Sequence, residues 1–112
     1  MPKKTHSYTP YARDAAELLG RMIRTARLER NMTAGELAER AGVSRPLPNR
    51  AEKGDLGVSL GTMFELASLL GIPLFEPDTE RLTMRLEAER RTGALLRKRA
   101  FAVSQRQVDD DF

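Results

Sequence analysis

Residues 33–54 constrain this chain more than any other stretch, because they pack two sets of helix start and stop signals into one short segment. Thr33-Ala34-Gly35-Glu36 has the Thr-x-x-Glu spacing of a capping box. A Thr hydroxyl there accepts from the Glu backbone N–H while the Glu carboxylate reaches back. The spacing predicts a short helix from Ala34 to about Arg40, burying Leu37 and Ala38. Ala41-Gly42-Val43 then breaks the chain tightly, with Gly42 suited to the positive φ that ends a helix. Ser44 is placed to cap a further helix to about Lys53, and Gly54 stops it.

The flanking sequence is also helical. Ala15, Leu19, Met22, Ile23 and Ala26 recur at spacings of three and four, predicting a helix from about Asp14 to Arg30. After the segment, Ser59 caps a run whose apolar side is Leu60, Met63, Phe64, Ala67 and Leu70, and Gly71 closes it. Residues 72–75 read as a short helical turn closing the core. Thr79 to about Lys98 is rich in Arg, Glu, Leu, Met and Ala, all strong helix formers, with a thin Leu82/Leu86 stripe. No segment shows bounded period-two alternation, so no sheet is expected. The fold class is all-α: a five-helix domain over 14–76, preceded by a flexible arm (1–13) and followed by a charged helix (77–99) and a flexible acidic tail (100–112).

Composition removes whole classes of function. With no cysteine there is no disulfide framework, thiol catalysis or cysteine-ligated zinc. The single histidine, His6, lies in a polar stretch, and no metal cluster, nucleophile–base set or phosphate loop is present. The chain reads as a non-enzyme without cofactor or metal. The apolar run at 66–75 is broken by Gly71 and Pro73, too short for a membrane span. No apolar stretch follows Lys3 and Lys4, so no signal peptide is expected and the location is taken as cytoplasmic. Charge is uneven. Residues 1–30 carry +4, 31–60 are balanced, 61–107 carry +2, and the last five carry −3. A basic body suits a polyanion; an Arg-rich solvated surface would give the same total.

Capped helix, Ala-Gly-Val-Ser turn and second helix together form the layout of a helix-turn-helix, more specific than any helical hairpin. Leu19-Gly20-Arg21, Arg27, the run from Glu36 to Arg45 and Glu52-Lys53-Gly54-Asp55 resemble the Xre/Cro-type helix-turn-helix of phage repressors and bacterial regulators. That resemblance implies a five-helix, homodimeric domain on palindromic double-stranded operator DNA, associated with the bacterial nucleoid when bound. Carried over by position, Ser44, Arg45, Pro46, Asn49 and Arg50 face the groove, with Arg45 and Arg50 as donors to guanine. Arg24, Thr33, Ala34 and Lys53 fall near phosphate, Ala34 through its backbone N–H. Arg27 and Glu52 fall where an ion pair ties the first helix to the recognition helix.

A narrower similarity links Gly57 to Leu60, Thr62 to Leu74, the charged helix and the ending Val108-Asp109-Asp110-Asp111-Phe112 to HipB-like antitoxins. It implies a HipA-type serine/threonine kinase partner that meets Asp109, Asp110, Asp111 and Phe112. One departure stands out. The family has large aliphatics where Pro48 and Ala51 stand. With Ser44 as cap, Pro48 is the fourth helical residue, where it removes the first intrahelical bond. Either the helix starts a turn late or Leu47 and Phe64 move in. A protein-interaction module with weakened DNA binding is the alternative function.

Overall fold

A computed structural model describes the backbone of residues 7–110 and the side chains of residues 7–106. Its described residues are helical without strands: α1 (Pro10–Glu29), α2 (Ala34–Ala41), α3 (Leu47–Glu52), α4 (Leu60–Leu69) and α5 (Thr79–Asp110). They fall into two compact units that divide between Leu74 and Phe75.

The first unit holds α1 to α4. α1 begins at Pro10, ahead of the expected Asp14, because Thr9 caps it by accepting from the Ala12 N–H at 3.2 Å. Pro10 stands at the first helical position, where a missing N–H removes nothing. Thr33 caps α2 at 3.0 Å from the Glu36 N–H, and its hydroxyl donates to the Glu36 carboxylate at 3.2 Å. The Glu therefore closes the box on the Thr side chain. Ser59 caps α4 by accepting from the Thr62 N–H at 3.1 Å. Helices α2, α3 and α4 finish alike, an amide two or three residues past each end returning to a carbonyl five residues back: Val43 to Ala38, Asp55 to Arg50, Ile72 to Ala67.

Ile23, Met32, Leu37, Ala51, Val58, Leu66 and Leu70 form one buried cluster, with Leu19, Leu47, Met63 and Ile72 packed against it. α3 lies against both α1 and α2, and α2 also against α4. Of the expected α4 stripe, Ala67 and Leu70 are buried and Met63 packs against the core, while Leu60 and Phe64 are exposed and Leu66 is buried in their place. Residues 72–75 are not helical, so the first unit has four helices where five were expected. Ile72 still reaches the core, whereas Leu74 and Phe75 are exposed. Pro73 has no N–H to extend a turn there.

The second unit is α5, preceded by Asp78, whose carboxylate accepts from the Arg81 N–H at 2.7 Å. The helix runs on past Lys98 through Phe101 to Asp110, across residues expected to belong to a flexible acidic tail (100–112). Ala94, Leu95, Leu96, Ala100 and Ala102 are strong or adequate helix formers, and neither Gly nor Pro interrupts from 94 to 110. Its apolar side chains Leu82, Met84, Leu86, Leu95, Leu96, Phe101 and Val103 are exposed. Gly93 stands in the middle of this helix with nothing within 4 Å of where a Cβ would lie.

Candidate DNA interface

Helix α3 starts later than Ser44 capping would allow. Pro46 precedes its first residue, no side chain caps it, and the chain enters through a turn in which Leu47 N–H donates to Ser44 O at 3.0 Å. Pro48 thereby becomes the second helical residue, a position that needs no N–H. This resolves the conflict that two prolines posed, and it changes the chemistry of the helix start. Pro48 has no N–H, Leu47 uses its own on Ser44, and Arg50 donates to Pro46 O at 3.1 Å. Only the Asn49 amide remains open, so the start of α3 is a poor anion site. α2 is different, with the Ala34 and Gly35 amides open ahead of the capped Glu36.

Ala51 fits without a large side chain because α1 and α3 meet backbone to backbone. A Cβ on Gly20 would lie 2.4 Å from the Ala51 carbonyl oxygen and 2.8 Å from that of Glu52. Gly54 supports the same contact from the other end. It has φ +77°, and its Cβ would lie 3.0 Å from Glu17 Cα. Leu47 packs against the buried cluster that includes Ala51, whereas Phe64 stays exposed.

Arg27 and Glu52 meet across that contact. Arg27 Nη2 donates to Glu52 Oε1 at 2.8 Å and Nε to the same oxygen at 3.2 Å, while Nη1 donates to Met32 O at 2.8 Å. The two side chains are 9% and 3% exposed. Both donors share one oxygen, and Glu52 Oε2 is buried without a partner among the described residues. The single pair holds α1, α3 and the loop before α2 in one register.

With Pro48, Ala51 and Glu52 inward, the outward side of this segment carries Ser44, Arg45, Pro46, Asn49, Arg50 and Lys53, all exposed. Arg24 is exposed on α1, Thr33 is exposed at the start of α2, and Ala34 is half-buried beside it. The Arg45 guanidinium lies over Gly35, its Nη2 3.3 Å from where a Cβ would stand. Arg45 and the start of α2 line an open depression of about 400 Å³ with Thr33, Glu36, Ala38, Glu39 and Val43. Asp111 and Phe112 lie outside the described residues, and of Asp109 and Asp110 the backbone alone is described.

Asp55 also belongs to this surface, and sequence reasoning assigns it no role. Asp55 Oδ2 accepts from Arg50 Nε at 2.7 Å, and its Oδ1 accepts from the Gly57 N–H at 2.7 Å. Residues five apart across a helix end share no helical face, so periodicity gives no sign of the pair. The Asp-x-Gly spacing was the available signal, since Asp side chains often accept from an amide two residues on. The Arg50 guanidinium and the Gly57 amide hold the Asp55 carboxyl below the usual aspartate range. A depressed value means the ionised pair is intact at neutral pH and is lost only as acid takes Asp55 through that lowered value. An NMR titration of the side-chain carboxyl carbons is expected to find Asp55 protonating at lower pH than an ordinary aspartate. Arg50→Ala is expected to raise it toward the usual range, the Gly57 amide still holding it down in part.

Residues 23–76 match the helix-turn-helix family model, the stretch that runs from inside α1 past the end of α4. That stretch is a helix-turn-helix domain of Xre/Cro type. No curated protein matches the chain. No described helix is long and apolar enough to cross a membrane.

Proposed function

We propose that this protein is a sequence-specific DNA-binding transcriptional regulator, a repressor that reads a palindromic operator as a homodimer. One observation carries the reading: in a helix-turn-helix stretch, α3 buries Pro48, Ala51 and Glu52, and Asn49 and Arg50 on it face out together with Arg45 before it and Lys53 after it. Arg pairs with the O6/N7 edge of guanine, Asn with adenine, and Lys with phosphate. The open amides of Ala34 and Gly35, with Arg24 nearby in sequence terms on α1, suit the backbone contacts that set register.

A mobility-shift titration on the DNA upstream of the protein's own gene tests this. Affinity is expected to fall steeply with salt, because neutralised phosphates release counterions. Arg50→Ala is expected to weaken operator binding by about 1–3 kcal/mol and relax preference at one base pair. Lys53→Ala is expected to weaken all sequences alike. Unchanged operator affinity in both Arg45→Ala and Arg50→Ala would remove α3 from the readout. Such a result would favour the alternative of a protein-interaction module, to which the short, uncapped α3 also lends weight.

Dimer formation follows from the length of DNA one such helix can read. Two-fold symmetry places a pair of recognition helices roughly 34 Å apart, one turn of the duplex. Exposed Leu82 and Leu86 on α5 are the proposed contact, and a monomeric mass by light scattering at tens of micromolar would count against it. The HipB-like pairing with a HipA-type kinase is the finest reading and rests on layout and the acidic ending. Removing residues 108–112 tests it: kinase binding should weaken while DNA binding stays or rises, three negative charges having gone.

A further inference from the structure

Arg50 is the residue of α3 whose guanidinium is held by a carboxylate. Its Nε is committed to Asp55 Oδ2 at 2.7 Å, and no other ion pair involves it among the described residues. Asp55 is itself anchored, Oδ1 by the Gly57 N–H at 2.7 Å and its backbone N–H by Arg50 O at 3.1 Å. The absence of a side chain at Gly57 leaves space for this assembly. A Cβ there would stand 3.1 Å from Asp55 Oδ1 and 3.4 Å from Arg50 Nη2. The pair is nonetheless open to solvent, with the Arg50 side chain 47% exposed.

Arginine presents its donors in a rigid planar fork, so fixing Nε fixes the plane and direction of the other two nitrogens. We infer that Asp55 is a positioning residue for DNA readout: by holding Nε it aims the Nη1/Nη2 edge of Arg50 outward for bidentate contact with one guanine. It does this as an acid set among basic residues, so its charge opposes phosphate while its geometry sharpens base choice. Specificity and bulk affinity are thereby set against one another at a single side chain. The inference rests on the proposed DNA reading.

Site selection from a duplex pool with a random core tests it, using the full-length wild type, Asp55→Ala, Asp55→Asn, Arg50→Ala and the double variant Arg50→Ala/Asp55→Ala. Wild type is expected to enrich a motif, and Arg50→Ala to lose the preference at one base pair of each half-site. Asp55→Ala should lose roughly fivefold or more of the preference at that same base pair, keep the others, and bind unselected pool DNA at least as tightly as wild type. Asp55→Asn keeps an oxygen that can accept from Nε and is expected to restore part of the preference. In the Arg50→Ala background, removing Asp55 should leave the motif unchanged. The inference fails if Asp55→Ala keeps the wild-type motif, if it blurs every position alike, or if it acts equally without Arg50. In each of those cases a wild-type motif would leave the DNA reading standing. A wild type that enriches nothing would overturn both.

Discussion

Arg27→Ala is expected to lower the unfolding free energy by about 3–5 kcal/mol, because it leaves the Glu52 carboxylate buried and unpaired. The loss is large for an ion pair since both side chains are almost wholly enclosed and one carboxylate oxygen lacks a partner among the described residues. Against a typical domain stability of roughly 5–15 kcal/mol, the loss takes a large share of what holds the fold. Replacing both partners together, as Arg27→Met with Glu52→Leu, should cost far less, because no charge is then stranded. Urea unfolding followed by circular dichroism checks both. Equal stability of Arg27→Ala and wild type would mean that the pair is solvated in solution. The Arg27 to Met32 carbonyl bond adds a second reading, since its loss should also loosen the turn before α2.

Gly20→Ala is the second large effect, and its sign is opposite to what helix propensity gives. Ala in a helix interior is ordinarily better than Gly by about 0.8–1 kcal/mol. At Gly20 the new Cβ meets two backbone carbonyl oxygens, at 2.4 and 2.8 Å, and neither can swing aside as a side chain would. Overpacking of this kind typically costs roughly 1–3 kcal/mol, so the clash outweighs the propensity gain. α3 should be displaced from α1, and the Arg27–Glu52 pair stretched with it. Gly93→Ala is the control, since its Cβ would meet nothing within 4 Å, and there the propensity gain should appear alone. Thermal melts that show Gly20→Ala raised and Gly93→Ala lowered would contradict this account.

The pattern of these residues explains how far the sequence could be read. Capping signals are local, and so the Thr33–Glu36 box, the Ser59 cap and the α2 boundaries stand in the chain order itself. The helix-turn-helix and the Arg27–Glu52 pairing were legible because a resemblance supplied the long-range positions that spacing cannot. Thr9-Pro10 was an equally good start signal, hidden by the polar residues around it. Ser44 misled for a physical reason: it has the right chemistry for a cap, but Pro46 and Pro48 shift the helix start and put it out of reach. The Gly20–Ala51 contact and the Arg50–Asp55 tie were not legible, since each depends on how two segments approach rather than on any period along one. α5 ran on because nothing in residues 94–110 stops a helix, even where no apolar stripe requires one.

The prolines of the recognition segment bear on how the domain meets the wrong DNA. Pro46 holds φ near −72°, Pro48 is buried in the core, and both restrict the chain before it folds as well as after. Each proline of compatible geometry removes about 0.4–1 kcal/mol of freedom that would otherwise have to be surrendered. A segment stiffened in this way has few alternative shapes to offer a mismatched site. On the proposed DNA reading it would act as a rigid template, and discrimination would then fall on how fast an ill-fitting duplex is released, with little of it on reshaping of the protein after contact.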